Sequence, residues 1–125
     1  MAEIGAELVH VAMGEVDIAL PFSERLTQQD GYLHAGVVAG AADSACGYAA
    51  LTTMNAGAEV LTVEFKINLL APAAGERLVA RGRIVRTGRT LTVCRGDAAT
   101  ISGGREQQVA TLTATLMAIT HRSLT

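Results

Sequence analysis

His34-Ala-Gly-Val-Val-Ala-Gly-Ala-Ala-Asp43-Ser-Ala-Cys-Gly47-Tyr-Ala-Ala-Leu51 is the longest apolar run in the chain, and Asp43 is its only formal charge. The run predicts one helix from about His34 to Met54, a rod of roughly 30 Å, the width of a small domain. A helix apolar on nearly all sides is a buried helix. On a period of ~3.6 residues Gly36, Gly40, Asp43, Gly47 and Ala50 share one stripe, so the carboxylate stands in a lane almost free of side chains. The three glycines cost ~1 kcal/mol each relative to alanine. Two readings account for that cost. Small residues admit the close approach of another backbone, or the lane is a groove holding a ligand against Asp43. Both hold together if the helix meets a partner subunit.

Strand patterns flank the helix on both sides. Glu7 to Ala12 and Val16 to Pro21 read as short strands joined by a turn at Gly14-Glu15, and Phe22 to Gly31 reads as a loop. Gly57 is a reasonable stop after the helix. Beyond it Leu61, Val63, Phe65, Ile67 and Leu69 alternate with Thr62, Glu64, Lys66 and Asn68, the clearest strand pattern in the chain. Pro72 to Gly75 is a turn. Arg77 to Arg86 is a strand with Leu78, Ala80, Gly82 and Ile84 on one face. Thr87-Gly88 turns into a strand from Thr90 to Arg95. Gly96 to Arg105 reads as a hairpin loop, and Gln108 to Thr120 as a last long strand.

With 125 residues, half of them hydrophobic, the chain predicts one globular domain over residues 1–125. Aromatic residues are only 3%, so the core rests on Ala, Val, Leu and Ile, a thin core that oligomerisation often completes. A net charge of −2 offers no electrostatic case for nucleic acid or an anionic membrane as partner. Cys46 and Cys94 lie in apolar segments and read as buried, reduced thiols of a cytoplasmic protein rather than a disulfide framework. The N-terminus lacks the basic-then-apolar pattern of a signal peptide. Asp43 and the glycines argue against the helix as a membrane span. No His/Cys cluster has zinc spacing, so no metal site is expected. Ser102-Gly103-Gly104-Arg105 lacks the strand–loop–helix context of a phosphate-binding loop.

Successive strands joined by short turns favour an antiparallel sheet, and one apolar helix is the element available to cover it. The expected class is α+β: a curved antiparallel β-sheet wrapped around one long central helix. That arrangement resembles the hotdog fold of acyl-CoA thioesterases, in the phenylacetate-degradation-type (PaaI-like) branch. The resemblance runs from about Gln28 to the C-terminus. It rests on Leu33-His34-Ala-Gly36-Val-Val, Asp43-Ser-Ala, Thr62-Val-Glu-Phe-Lys-Ile-Asn-Leu-Leu-Ala-Pro72, Gly75-Glu-Arg-Leu and Val85-Arg-Thr-Gly88-Arg89-Thr90.

The resemblance implies hydrolysis of a small or medium acyl- or aryl-CoA, with CoA as part of the substrate and no separate cofactor. It also implies a homodimer with the site between subunits, and pairing of dimers into a homotetramer. The family's helix carboxylate acts as general base or nucleophile on the thioester carbonyl, a role that falls on Asp43. Residue physics allows it: an aspartate deep in a helix gains little from the N-terminal dipole, so water, a hydrogen bond or a partner chain must support its charge.

The family's oxyanion donor is the backbone N–H after the His, here Ala35, where glycine is usual. The N–H is kept, and the added methyl restricts bulky acyl groups. Gly36 completes the His-x-Gly opening, and His34 orients this loop. Gln28, six residues before His34, matches an Asn or Gln that places the thioester or water. Thr62 falls, with a one-residue gap, where the branch carries a hydroxyl near the reacting carbonyl. Gly88, Arg89 and Thr90 fit the turn used around the CoA nucleotide or pantetheine. Each also has a plain structural reading: a carboxylate locked in a core hydrogen bond, a loop glutamine, an outward strand threonine, a solvated arginine. Two other functions share the fold. A dehydratase or hydratase would need a histidine beside the acid, and His34 sits at the wrong end of the helix. An acyl-CoA-binding protein without turnover is the non-enzymatic alternative.

Overall fold

Short turns after the helix leave the chain little choice but to fold back on itself repeatedly. In the computed structural model, which describes residues 5–119, it does so as one six-stranded antiparallel sheet. The strands are β1 (Glu7–Ala12), β2 (Glu15–Pro21), β3 (Glu59–Leu69), β4 (Arg77–Thr87), β5 (Leu91–Ser102) and β6 (Arg105–Ile119). Their spatial order is β1-β2-β4-β5-β6-β3, so β1 and β3 form the two edges. Helix α1 (Ala35–Leu51) lies across the inner face, packed mainly on β4 and β5.

The helix is shorter than its apolar run suggests, with 17 residues and a length of ~25 Å. His34 is its N-cap. At the other end the Thr52 and Thr53 hydroxyls donate to the carbonyls of Ala49 and Ala50 at 2.6 and 3.0 Å, which ends the helix before Met54. The Gly14 amide donates to Thr52 Oγ1 at 2.7 Å and ties the β1–β2 turn to the helix end.

The region from Gly96 to Arg105 is not a loop. β5 runs through Gly96 to Ser102, and the turn is Gly103-Gly104 alone, both with positive φ as a two-residue hairpin requires. Gly96 pairs with Gly82 across the β4–β5 ladder, and both lie under the helix. A Cβ on Gly82 would sit 2.3 Å from the Ala45 carbonyl oxygen, and one on Gly96 2.9 Å from that of Ala42. The close approach of two backbones is therefore made by glycines of the sheet. Helix glycines Gly36 and Gly40 have open space where a side chain would be, so packing within the chain does not explain them.

Nor is the helix buried all round. Val38, Ala41, Ala45 and Ala49 pack with Ile18, Leu20, Leu78 and Val109, and Ala42, Cys46 and Ala50 pack with Cys94, Leu112, Ala114 and Leu116. Cys46 and Cys94 are free and buried, and the Cys94 thiol points to the Cys46 carbonyl at 3.6 Å. The contact between the two thiols and their burial hold the Cys46 thiol well above the ordinary range. Gly36 and Tyr48 remain exposed on the opposite side.

β3 departs from simple alternation. A bulge between Thr62 and Glu64 reverses its parity against β6. Thr62 stands opposite Leu116, and Phe65, Ile67 and Leu69 stand opposite Ala114, Leu112 and Ala110, all on the core side. Thr62 thus shares the inner face with Phe65, although the two sit on opposite faces of an unbroken strand.

Candidate active site

Asp43 lies midway along α1, between the Ala42 and Ala45 carbonyls that rest on the sheet glycines, with its carboxylate bonded to β3. It is half-buried. The Thr62 hydroxyl donates to its Oδ1 at 2.8 Å, which supplies the support that a carboxylate away from its helix terminus needs. Oδ2 has no protein partner among the described residues, so one oxygen is fixed and the other is free to accept a proton. Asp43 and Thr62 line a cavity of about 320 Å³ that also reaches Ser44, Gly47, Tyr48 and Leu51.

The other end of the helix lines a second cavity, of about 600 Å³, with Gln28, His34 and Ala35 in its wall beside the apolar Tyr32, Leu69 and Val109. His34 is extended at φ −58°, ψ 141°, and its carbonyl accepts from the amides of Val37 and Val38. Its own amide donates to the Leu26 carbonyl at 3.0 Å, so its backbone anchors the loop while its side chain makes no cap. The N–H groups of Ala35 and Gly36 have no acceptor among the described residues. Such free donors at a helix start favour developing negative charge. Gln28 spends its side-chain oxygen on the Asp30 amide, which leaves its NH₂ available to the cavity.

Gly88, Arg89 and Thr90 form the β4–β5 turn, closed by the Gly88 amide on the Leu91 carbonyl at 2.7 Å. A Cβ on Gly88 would lie 2.6 Å from that carbonyl oxygen, so glycine is required there. The turn borders a cavity of about 190 Å³ with Met54 and Asn55, beyond the helix C-terminus.

Within one chain the anticipated site residues therefore fall into three places. Asp43 and Thr62 meet; Gln28, His34 and Ala35 share the second cavity, with Gly36 next to Ala35 in the chain but not in its wall; the Gly88–Thr90 turn stands apart. Ala35 and Asp43 are eight residues apart along the helix, ~12 Å, and line different cavities. Tyr48 and Leu51 were not anticipated. Leu51, eight residues from Asp43, is ~80° round the helix from it, whereas Tyr48, five residues on, is ~140° away, so helical spacing carried no signal for Tyr48. Among the described residues no cluster of His, Cys, Asp or Glu could hold a metal ion. No helix among the described residues is long and apolar enough to cross a membrane.

The family model described as thioesterase superfamily matches residues 30–107, more than half of the chain and every anticipated site residue except Gln28. The chain belongs to the thioesterase superfamily. A thioesterase family protein from Silicibacter pomeroyi superposes on it with a TM-score of 0.94 at 50% identity, covering 96% of this chain and 88% of that one. A Bacillus halodurans protein solved with CoA superposes with a TM-score of 0.77 at 25% identity, covering 82% and 66%. A curated relative from Saccharolobus solfataricus, whose name carries a provisional esterase assignment, is 31% identical over 90 residues, 72% of this chain. The match spans 64% of that relative's length. The helix on a curved antiparallel sheet is the hotdog fold, shared with the PaaI-like thioesterases.

Proposed function

We propose that this thioesterase-superfamily chain hydrolyses acyl-CoA thioesters, with Asp43 of one protomer acting on a carbonyl held at the helix N-terminus of a second. The observation that carries the proposal is the Asp43 carboxylate, fixed through one oxygen by Thr62 in the wall of a cavity. The need for two chains follows from the separation of Asp43 and Ala35. β3 supplies the surface: it is a sheet edge on which Leu61, Val63, Phe65 and Leu69 are all exposed. An apolar edge of this kind pairs readily with its own copy about a two-fold axis. Pairing of two such dimers gives a tetramer.

In this reading the substrate carbonyl oxygen faces the N–H groups of Ala35 and Gly36, and the Gln28 NH₂ helps place the thioester or water. Asp43 Oδ2 takes a proton from water as its oxygen adds to the carbonyl carbon. Negative charge develops on the carbonyl oxygen, where fixed donors in a cavity stabilise it. The tetrahedral centre collapses, the C–S bond breaks, and the proton on Asp43 passes to the departing thiolate. The products are a carboxylic acid and CoA. Direct addition of Asp43 to the carbonyl is the other route. It expels the CoA thiolate, which takes a proton from water, and forms a mixed anhydride that water then opens; attack of that water on the aspartyl carbon places solvent oxygen in the Asp43 side chain after a single turnover in ¹⁸O-water. Arg89 meets the CoA phosphates, and Gly88 and Thr90 shape its turn.

Mixing two inactive variants tests the shared site. Asp43→Asn lacks the base. Ala35→Pro lacks the N–H, and proline suits a first helical position preceded by an extended residue. Random reassociation of the two should restore about a quarter of the wild-type sites, because each mixed dimer has one intact pair. No recovery from two folded, exchanging variants contradicts the shared site. Binding of acyl-CoA by the wild type without release of thiol supports the non-catalytic binding protein instead.

A further inference from the structure

Tyr48 is the one aromatic residue on α1, and it is 46% exposed on a helix made mostly of small residues. Its position is shared by two cavities. On one side lies the 320 Å³ cavity of Asp43 and Thr62. On the other lies a cavity of about 200 Å³ walled by Leu8, Val11, Val16 and Thr52. Tyr48 and Leu51 line both. Between Asp43 and Tyr48 the helix offers Gly47, which leaves the floor of the first cavity bare. The second cavity is walled almost entirely by carbon, yet it carries nothing that could take part in hydrolysis.

We infer that Tyr48 is the partition that ends the acyl pocket, so that the enzyme selects short acyl groups and turns away long straight chains. The inference rests on the thioesterase reading above and names the substrate class for it. An acyl chain attached to a carbonyl near Asp43 runs past Gly47 and meets the Tyr48 ring. The same ring lines the apolar cavity of Leu8, Val11 and Val16. With the ring removed the two cavities become one, and the chain extends onto Leu8, Val11 and Val16. Each methylene that newly leaves water adds ~4-fold in affinity.

The test compares wild type, Tyr48→Ala, Tyr48→Phe and Tyr48→Ala/Val11→Trp. One arm follows free thiol released from straight-chain acyl-CoAs from butyryl to palmitoyl. The second follows calorimetric binding of the matching S-alkyl-CoA thioethers, which cannot be hydrolysed. Wild type and Tyr48→Phe should lose affinity and turnover beyond short chains. Tyr48→Ala should move the optimum to longer chains, and the Val11→Trp ring should shorten it again. A thioether length profile that is the same in wild type and folded Tyr48→Ala overturns the partition, as does failure of both to bind any thioether. If wild type hydrolyses nothing while the thioethers show the cut-off and its loss, the hydrolase reading falls and the partition stands.

Discussion

The Thr62 hydroxyl donates a 2.8 Å hydrogen bond to Asp43 Oδ1, joining edge strand β3 to the middle of the helix. The bond exists because the bulge after Thr62 turns this residue to the inner face of a strand whose later apolar residues also face inward. A hydrogen bond to a charged group is worth ~1.5–3 kcal/mol, and this one also fixes which carboxylate oxygen remains free.

Thr62→Val should therefore lower kcat by about tenfold to a hundredfold, the rate equivalent of that bond. Thr62→Ser keeps the hydroxyl and should stay near wild type. Steady-state kinetics of the two variants, with melting curves to show both are folded, checks this. Equal loss in both would remove the positioning role.

The glycines divide into two groups with opposite expectations. Gly82→Ala drives a methyl into the Ala45 carbonyl and should destabilise the fold by several kcal/mol or prevent folding. Gly40→Ala meets nothing within 4 Å and should raise stability by ~1 kcal/mol through helix propensity. If the open stripe is a substrate groove, the same Gly40→Ala protein should show a higher KM. Chemical denaturation and kinetics on one preparation give both answers.

The sheet's outer face offers a pH prediction. Arg81 donates to both Glu106 oxygens at 2.9 and 2.7 Å, which lowers the Glu106 carboxyl below its usual range and raises the Arg81 guanidinium. A carboxylate lowered on folding contributes stability above its unfolded pKa and loses it as pH falls through the folded one. Both side chains are substantially exposed, at 34% and 48%, so the contribution is under ~1 kcal/mol. Glu106→Gln should lower Tm slightly at neutral pH, and the difference should vanish in acid below the carboxylate range. A difference that persists there would mean the pair acts by packing.

Much of this was legible in the residues. The apolar run gave the helix, the short turns gave an antiparallel sheet, and the lone charge in a glycine lane gave Asp43. What escaped was what depends on contacts between distant segments. Gly96 reads locally as a breaker, and only the helix backbone resting on it makes it a strand residue. The bulge at Thr62 carries no local mark either, so strict alternation set Thr62 on the opposite face from Phe65. The helix glycines admitted two readings, and only the open space around Gly36 and Gly40 shows that packing within the chain is not their cause. The ~12 Å between Ala35 and Asp43 follows from residue count along one helix, but that they line different cavities emerges only from the packing around them.

Assembly is the next expectation. The exposed Leu61, Val63, Phe65 and Leu69 on a free edge should bring the chain to a dimer or tetramer at micromolar concentration. Light scattering on a size-exclusion column measures it. A monomer that turns over acyl-CoA at the full rate would contradict a site shared between chains.

Asp43→Asn is the most direct test of the account. Asparagine keeps the size, and its side-chain oxygen still accepts the Thr62 hydroxyl, so stability should change little. Charge and basicity are gone. As general base Asp43 is worth ~10²–10⁴-fold, and as nucleophile more. The account predicts a kcat for the best acyl-CoA lowered by at least that range, with KM close to wild type and the oligomer intact. A folded Asp43→Asn assembly hydrolysing that substrate at the wild-type rate would contradict it.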